Sequence, residues 1–415
     1  MSFYSNRPVN RSKHFALKLV YLAFAGLASQ QASAGFPTLY GKIFVTANSY
    51  DLEKNNFALT APAATTYKHD GATGVATELD SVAVESSGSR LGVQGDFGVA
   101  NDLTVFYRIE YGIDVDNGTN SNGRELTQRN IFAGVRSNDW GQILIGKNDT
   151  PLKTLQTNTV LRSDLDRFND YALADIGSYI AGENRVDNVI QYTSPIVLGG
   201  LEINLAAIQA EETGVPVNAA TNPQDDNGFA TGQSLSVVYG KAKWYVGAAY
   251  ESNVATADTL RLGGEVAFGP VKLGGFYQSS ERHESYDTIG GLTSSFVGSA
   301  TSALGAQYGL NPLSEWDGAA NTAYKEQDAV VINGQWKIYG PWVAKVQLGQ
   351  ATSTPSNAAY EDVETDAAAI GVDYNLSDAA RLFAYYATLE TQGDSKINTV
   401  ASTDKTFAVG LDLRF

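Results

Sequence analysis

The C-terminal segment Lys405–Phe415, with the sequence KTFAVGLDLRF, decides how the rest of this 415-residue chain is interpreted. Every second residue from Phe407 to Phe415 is apolar, whereas the residues between them are small or charged, including Asp412 and Arg414. Successive side chains of a β-strand point to opposite faces of the sheet, so a period of two indicates a strand. The segment therefore predicts a strand with an apolar environment on one side and a polar environment on the other.

The same alternation recurs in other segments of the chain. It is clearest in TLRLGGEVAF (259–268), GPVKLGGFYQSS (269–280) and PWVAKVQLGQ (341–350). In each segment one face is apolar, and the other face mixes charged residues with glycine. A membrane β-barrel has such strands because alternate residues face lipid, and a soluble β-sandwich has them because its apolar faces meet in a dry core. Alternation alone predicts an all-β protein and leaves both architectures open.

The connections between the predicted strands are sorted by length. The short turns are 98–102, 137–141, 195–200, 240–243, 269–270, 340–341 and 375–378. The long loops lie near 52–87, 115–128, 149–185, 211–231, 252–258, 282–327, 353–365 and 391–404. Seven short turns alternating with eight long loops connect sixteen antiparallel strands, and an even number of strands with short turns at one end is typical of outer-membrane barrels. The pattern predicts a transmembrane, 16-stranded, up-and-down β-barrel.

Aromatic residues gather beside the short turns. They are Phe97, Trp140, Tyr239, Trp244, Phe268, Tyr339, Trp342 and Tyr374. Amphipathic rings concentrate at the headgroup level of a membrane, although aromatic residues also favour strands in general. Their repeated position beside the turns favours a belt at one membrane interface.

The N-terminal residues 1–34 have the features of a secretory signal. Four basic residues and no acidic residue precede or flank the apolar run LVYLAFAGLA, and the segment ends in Ala32-Ser33-Ala34. This order predicts cleavage before Gly35, since the apolar run is too short to span a bilayer easily. The mature chain 35–415 then forms one barrel domain.

Charge and cysteine content exclude several classes of function. The chain has 29 basic and 45 acidic residues, and loss of the four basic residues of the signal leaves 25 basic residues and a net charge of −20. Nucleic-acid binding needs a basic face, so we expect no nucleic-acid partner. The chain has no cysteine, which excludes a cysteine nucleophile and a cysteine zinc site.

The segment 149–185 is too long for a hairpin turn and is acidic in its middle. Its acidic residues between positions 160 and 184 are Asp164, Asp166, Asp170, Asp175 and Glu183. Long insertions inside a compact domain are usually functional or disordered. We expect this third long loop to fold into the lumen of the barrel and to narrow it.

Strand alternation also predicts which basic residues face the lumen. Arg90, Arg108, Arg136 and Arg185 each lie opposite apolar residues of their own strand. Lys147 shares the face of Ile143 and Ile145, so a lumen position for Lys147 requires the strand to end or twist there. The alternative for each basic residue is a solvated face or a local ion pair.

Three segments resemble a known family. SRLGVQGDFGVANDLTVFYRIEYGID (89–114) resembles the second and third strands of Gram-negative general diffusion porins, and RNIFAGVRSNDWGQILIGKND (129–149) resembles their fourth and fifth strands. GENRVDNVIQYTSP (182–195) resembles the end of their constriction loop and the sixth strand. The C-terminal Phe415 matches as well.

The resemblance implies a trimeric barrel with its third extracellular loop folded inside. Its motifs place Arg90, Lys147 and Arg185 on the barrel wall, facing Asp164, Asp166 and Asp170 of the loop. It also implies that Phe415 helps the outer-membrane assembly machinery to recognise the chain. Some members have arginine where Lys147 stands, and lysine lacks the planar fork of arginine.

These observations predict a passive channel of the Gram-negative outer membrane for ions and small hydrophilic solutes, with no cofactor and no metal. The strongly acidic mature chain predicts a mild preference for cations, and the basic wall residues act in the opposite direction. A substrate-selective porin, for example for an oligosaccharide, is one alternative. A soluble exported adhesin or lectin is another.

Two motifs suggest enzymes and are discounted. The segment Gly141–Asn148 nearly matches a phosphate-binding loop, but it ends in asparagine instead of serine or threonine and has the pattern of a strand. Asp164 and Asp166 form an acid pair such as general acid–base catalysis uses, yet no histidine lies near them in sequence. We therefore expect no enzymatic activity.

Overall fold

The computed structural model describes residues 33–34, 36–58, 67–69, 72–74, 78–100, 102–116, 126–158, 163–209, 229–255, 257–282, 324–355, 360–395 and 398–415. The predicted signal peptide, apart from Ser33 and Ala34, and most of the loops predicted at 211–231 and 282–327 lie outside these residues.

Sixteen barrel strands are present in the described residues, in agreement with the predicted number. They are β1 (Thr38–Ala58), β2 (Glu78–Ser86 and Arg90–Ala100), β3 (Leu103–Ile113), β4 (Leu126–Ser137), β5 (Gly141–Asp149), β6 (Arg185–Thr193), β7 (Leu201–Ile208), β8 (Gly232–Lys241), β9 (Trp244–Val254), β10 (Ala257–Phe268), β11 (Val271–Arg282), β12 (Tyr324–Tyr339), β13 (Trp342–Pro355), β14 (Tyr360–Asn375), β15 (Ala380–Ser395) and β16 (Asn398–Arg414). We count β2 as one strand because both of its pieces pair with β1.

Smaller elements complete the described residues. The short strands are Ser33–Ala34, Tyr67–His69, Ala72–Gly74, Thr157–Asn158 and Ser163–Asp164. One helical turn, α1, spans Pro151–Thr154, and two 3₁₀ turns span Ala172–Ala174 and Ile176–Ser178. None of the helices in these ranges is long and apolar enough to cross a bilayer.

The sheet closes on itself. Every strand runs antiparallel to the next one, and β16 pairs with β1 from Lys42↔Arg414 to Ala58↔Asn398. Closure removes the unpaired strand edges that an open sheet would expose. The prediction of a 16-stranded antiparallel barrel is confirmed.

The barrel is apolar on its outside and polar on its inside. In β16, Phe407 and Val409 are 54% and 47% exposed on the outer face, whereas Ala408 and Asp412 on the inner face are 0% and 2% exposed. A soluble sandwich would bury the apolar face instead. The apolar outer surface is the one that a bilayer requires, so the soluble alternative does not fit this chain.

Strands extend into several of the predicted long loops, and two of these loops show it most clearly. β9 ends at Val254 and β10 begins at Ala257, and β15 and β16 remain paired as far as Asp394↔Thr399. The sequence in these regions is polar and shows no apolar alternation, yet the hairpins continue to pair there. Both faces of a strand can be polar once it extends beyond the bilayer. Absence of alternation therefore marked the end of the apolar band and not the end of the strands.

Candidate pore constriction

The segment between β5 and β6 lies inside the barrel. Thr150 caps α1 by accepting a hydrogen bond from the backbone N–H of Lys153, and proline occupies the first helical position. Beyond this turn, the chain bonds to lumen-facing side chains of distant strands. The Gln347 amide of β13 donates to Asp166 at 2.9 Å, and the Gln327 carbonyl oxygen of β12 accepts from the backbone N–H of Ala181 at 2.9 Å.

Glycines on the inner wall make room for this loop. The Leu155 side chain packs over Gly247, and Leu165 packs over Gly274. Tyr179 lies against Gly349 so closely that a methyl group there would overlap its hydroxyl. The glycines that alternate with charges in the sequence are thus the positions where the loop approaches the wall.

Buried ion pairs fasten the loop to the same wall. Arg167 of the loop pairs with Glu265 of β10, and both side chains are buried. In the reverse direction, Arg261 of β10 pairs with Glu183 of the loop at 2.9 Å. Such pairs hold the loop in place, because moving one partner away would leave the other as an unpaired charge in a buried site.

Asp170 faces the opposite wall at the tip of the loop. It has a φ of 72°, and its carboxylate meets the ammonium of Lys42 at 2.7 Å and a guanidinium nitrogen of Arg90 at 3.6 Å. Gly88, between the two pieces of β2, leaves room for that carboxylate. Burial opposes ionisation of Asp170, but Lys42 and Arg90 outweigh it and hold its pKa below the ordinary value.

An opening of about 330 Å³ remains between loop and wall. Its charged lining residues are Arg90, Arg108, Glu110, Arg129, Asp149, Lys153, Asp164, Asp170, Asp175, Glu183 and Arg185. The four arginines all come from the wall strands β2, β3, β4 and β6, and four of the six acids come from the loop. Opposite charges therefore face each other across a narrow gap.

The wall arginines are held by acids and amides of neighbouring strands. Arg129 donates to Glu110 at 2.8 Å. Arg185 pairs with Asp149 at 3.0 Å and donates to the Asn130 side chain at 2.6 Å. Such charge-assisted bonds orient the guanidinium planes toward the opening.

The structure brings together five of the eight residues that the sequence placed in the constriction. Arg90, Arg108, Arg185, Asp164 and Asp170 all line the opening. The other three, Arg136, Asp166 and Lys147, lie elsewhere.

Arg136 and Asp166 face the interior but have other surroundings. Arg136 lies nearer the short turns, pairs with Asp96 at 2.6 Å and lines a wider cavity of about 760 Å³. Asp166 is buried and accepts hydrogen bonds from the backbone N–H groups of Phe168 and Ile176. Its carboxylate therefore helps to fix the conformation of the loop.

Lys147 lies on the outer face of the barrel. It is paired with Ile131 on β4, and its ammonium meets Asp187 of β6 at 2.9 Å. The strand continues past Lys147 to Asp149, so the Lys147 side chain stays on the same face as Ile143 and Ile145. This position differs from the expectation carried over from the porin motif.

Sequence reasoning missed Arg129. The register of β3 and β4 shifts between Ile109 and Tyr111, so that β4 contains an extra residue opposite β3. A bulge lets two consecutive residues, Arg129 and Asn130, face the lumen, although strict alternation would send one of them outward. No signal for the bulge stands out in the sequence.

Three acids of the loop, Asp164, Asp166 and Asp175, have pKa values that burial raises, and the first and the last of them line the opening. Burial raises the pKa of Asp164 to about 7, with a smaller contribution from the charges of Glu183 and Asp175. Burial likewise raises the pKa of Asp175 to about 6, although its carboxylate accepts hydrogen bonds from the backbone N–H groups of Asp170 and Gly177. We therefore expect the opening to lose negative charge as the pH falls through this range.

Comparison with known proteins identifies the family. A sequence model of a protein family, described as Gram-negative porin, matches residues 16–394. The chain belongs to the Gram-negative porin family. An outer membrane porin protein of Bordetella pertussis is 23% identical over 402 residues, which are 87% of this chain and 90% of that protein. This porin is accordingly a channel of the Gram-negative outer membrane through which small solutes diffuse passively.

Solved structures share the fold of this porin. An anion-selective porin from Comamonas acidovorans has a TM-score of 0.57 and 15% identity over 93% of this chain and all of that chain. The outer membrane protein OmpT of Vibrio cholerae, in its trimer form, has a TM-score of 0.55 and 14% identity over 92% of this chain and all of that chain. At these identities the likeness concerns the barrel fold alone.

Proposed function

We propose that the loop 149–185 is the selectivity element of a general diffusion channel. The observation that carries the proposal is the charge arrangement of the opening, with wall residues Arg90, Arg108, Arg129 and Arg185 facing an acidic loop. Opposed rings of charge set ion preference, while the width of the gap limits the size of solutes. The lumen thus sieves and steers ions and small hydrophilic solutes.

Reconstitution tests this proposal directly. In planar bilayers, the purified protein is expected to give stepwise ohmic conductance, and in liposomes it is expected to admit sugars at rates that fall with their size. Replacement of the segment 163–175 by a short Gly-Ser linker should raise conductance and flatten the size dependence. Unchanged sieving after that replacement would contradict the role of the loop.

A sugar-selective channel is the second candidate, and the lining argues against it. Among the described residues that line the 330 Å³ opening there is no aromatic ring, and sugars stack on aromatic faces. A saturable block of conductance by one oligosaccharide would favour the selective alternative.

We infer that the channel carries no catalytic site. The carboxylates of Asp164 and Asp166 have different surroundings, because Asp166 is buried behind hydrogen bonds within the loop. A general acid and base would both need to reach a substrate. We also expect no cofactor. We expect no nucleic-acid partner, because the mature chain is strongly acidic.

We propose further that residues 1–34 are cleaved before Gly35 and that three copies assemble in the outer membrane. The trimer form of the Vibrio cholerae protein supports the second point by analogy of fold. N-terminal sequencing of protein from outer membranes should give Gly35 as the first residue. Unheated samples should migrate as a trimer on denaturing gels, and migration as a monomer under those conditions would contradict trimerisation.

A further inference from the structure

A second large cavity lies inside the barrel on the short-turn side of the loop. Its volume is about 820 Å³, and it is lined by residues of β1, β2 and β11–β16 together with residues of the loop. The lining residues Lys272, Arg381 and Arg414 each lie within a few residues of a short turn or of the C-terminus. The cavity is therefore part of the vestibule between the constriction and the short-turn mouth.

Positively charged side chains dominate this cavity. Four of them are partly exposed to it, with side-chain exposures of 58% for Arg414, 26% for Lys272, 26% for Arg90 and 25% for Arg381. Lys345 also lines the cavity. Guanidinium groups that remain accessible to water can exchange a contact with an acid for a contact with a solute.

Acids that neutralise these cations are shared. Lys345 and Arg381 both meet Asp373 at 3.1 Å, and Arg381 and Arg414 meet Asp412 at 2.9 Å and 3.0 Å. Three cations in this cluster thus share two carboxylates.

The same sharing occurs higher in the cavity. Lys42 and Arg90 share Asp170. Of the other acids that line the cavity, Asp166 has its oxygens engaged by hydrogen bonds within the loop and from Gln347. Burial raises the pKa of Asp164 to about 7, which weakens its negative charge near neutral pH.

The other half of the vestibule has the reverse balance. The 760 Å³ cavity on the side of β2–β8 is lined by two cations, Arg108 and Arg136, and by three acids, Asp96, Asp149 and Glu202. Because the excess of positive charge is confined to one side, it is a local feature and not a general property of the lumen.

We propose that the 820 Å³ cavity is a subsite for small multivalent anions that carry carboxylate or phosphate groups. Its volume lies in the range of small-molecule sites, and its polar, cationic lining suits a hydrophilic polyanion instead of an apolar ligand. Arginine matches carboxylate and phosphate oxygens bidentately. The subsite gathers such anions beside the constriction, and the inference rests on the proposed channel function.

Titration of single channels with citrate tests the subsite. We expect citrate to reduce the conductance of the wild type in a saturable manner, inorganic phosphate to do so more weakly, and sucrose at equal concentration to have no such effect. K272Q and R414Q each remove one partly exposed cation. Glu265, which Lys272 meets, stays paired with Arg167, and Asp412, which Arg414 meets, stays paired with Arg381. Each variant should weaken the apparent affinity for citrate about threefold, and the double variant about tenfold, as expected for exposed ion pairs.

R136Q is the matched control, because it removes the same charge from the opposite cavity. We expect its citrate affinity to stay within about twofold of the wild type. Equal weakening by R136Q and R414Q would overturn the subsite in favour of a general field, and so would an equal block by sucrose. Conductance in KCl without citrate verifies that every variant folds.

The outcomes separate this inference from the proposed function. A wild type that conducts in KCl and shows no citrate block overturns the subsite alone. A wild type that forms no channel overturns the proposed function itself.

Discussion

At the scale of single residues, the pKa values of Asp164 and Asp175 predict a selectivity that depends on pH. Both carboxyl groups are raised, to about 7 and about 6, so they are ionised at pH 8 and become neutral as the pH falls to 5. The opening then loses up to two negative charges, and cation permeability should fall relative to chloride. One charge about 6 Å from an ion in water corresponds to about threefold. Reversal potentials in a KCl gradient at pH 8 and pH 5 measure the change.

Two variants separate this effect from other titrations. D164N should move the selectivity at pH 8 toward the value at pH 5 and should shrink the dependence on pH. D170N should shift selectivity equally at both values, because Lys42 and Arg90 keep Asp170 ionised throughout this range. An undiminished pH dependence in D164N would contradict the assignment.

Arg90 and Lys147 predict opposite outcomes for the same change of charge. R90Q removes a cation that lines the opening, so the preference for cations should rise by about threefold. K147Q removes a cation from the outer face, where Lys147 meets Asp187, and should leave the reversal potential unchanged. Bilayer measurements on the two variants under one salt gradient make the comparison, and a shift in K147Q would place that side chain in the lumen.

The positions of these residues show how far alternation carries. Arg90, Arg108 and Arg185 face the opening as expected, although the register of the strand pairs shifts just beyond Arg108 and Arg185. Arg129 was missed because one extra residue in β4 reverses the parity, and backbone pairing that causes a bulge leaves no mark in a period of two. Lys147 shows the converse. Alternation predicted that it shares the face of Ile143, as the structure has it, whereas the resemblance to the family motif placed it in the lumen.

At the scale of elements, the loop depends on the glycines of the wall. G349A introduces a methyl group that overlaps the hydroxyl of Tyr179, and overpacking of this kind costs about 1–3 kcal/mol. We expect a lower thermal midpoint of unfolding and a noisier open-channel current, because the displaced loop fluctuates in the lumen. Thermal gel-shift assays and single-channel recordings measure the two effects.

G334A is the matched control in the neighbouring strand. A methyl group at Gly334 would lie beside Leu273 and Val346 on the outer face, without reaching the loop. The double variant G349A/Y179L should recover quiet conductance, since the shorter side chain vacates the space. Quiet channels in G349A alone would show that the loop does not depend on this contact.

The loop also marks the limit of sequence analysis for elements. Its length and acidity predicted an insertion into the lumen, but its path along β8–β16 follows from contacts between residues far apart in the chain. Leu155 and Leu165 gave no sign of their partners, although the glycines of β9 and β11 were visible as small residues on polar faces. A glycine in a strand announces a close approach, and only the fold identifies what approaches.

At the scale of the whole molecule, the distribution of polarity is inside out, with apolar side chains on the outer face and charged side chains in the lumen. Charges that a soluble protein would expose are collected in the lumen, where strands and loop pair them across short distances. The buried apolar cluster of the described residues lies between the loop and the wall and includes Phe44, Leu165 and Tyr171, so closure of the backbone ladder and the packing of the loop together stabilise the fold. The residue that completes this ladder is the last one in the chain.

Phe415 should therefore contribute to stability as well as to assembly. Its backbone N–H donates to Gly41 at 3.1 Å, its carbonyl oxygen accepts from Gly41 at 2.9 Å, and its ring packs over the same glycine. Deletion of Phe415 removes two hydrogen bonds, worth about 1 kcal/mol each, and the ring contact.

F415A removes the ring alone, and F407L is a control at a lipid-facing position of the same strand. Refolding into detergent, which needs no cellular machinery, should rank the midpoints as F407L above F415A above the deletion. If the yield of F415A in outer membranes falls far more than its midpoint in detergent, the ring also serves recognition during assembly. Equal losses in both settings would assign Phe415 to barrel closure alone.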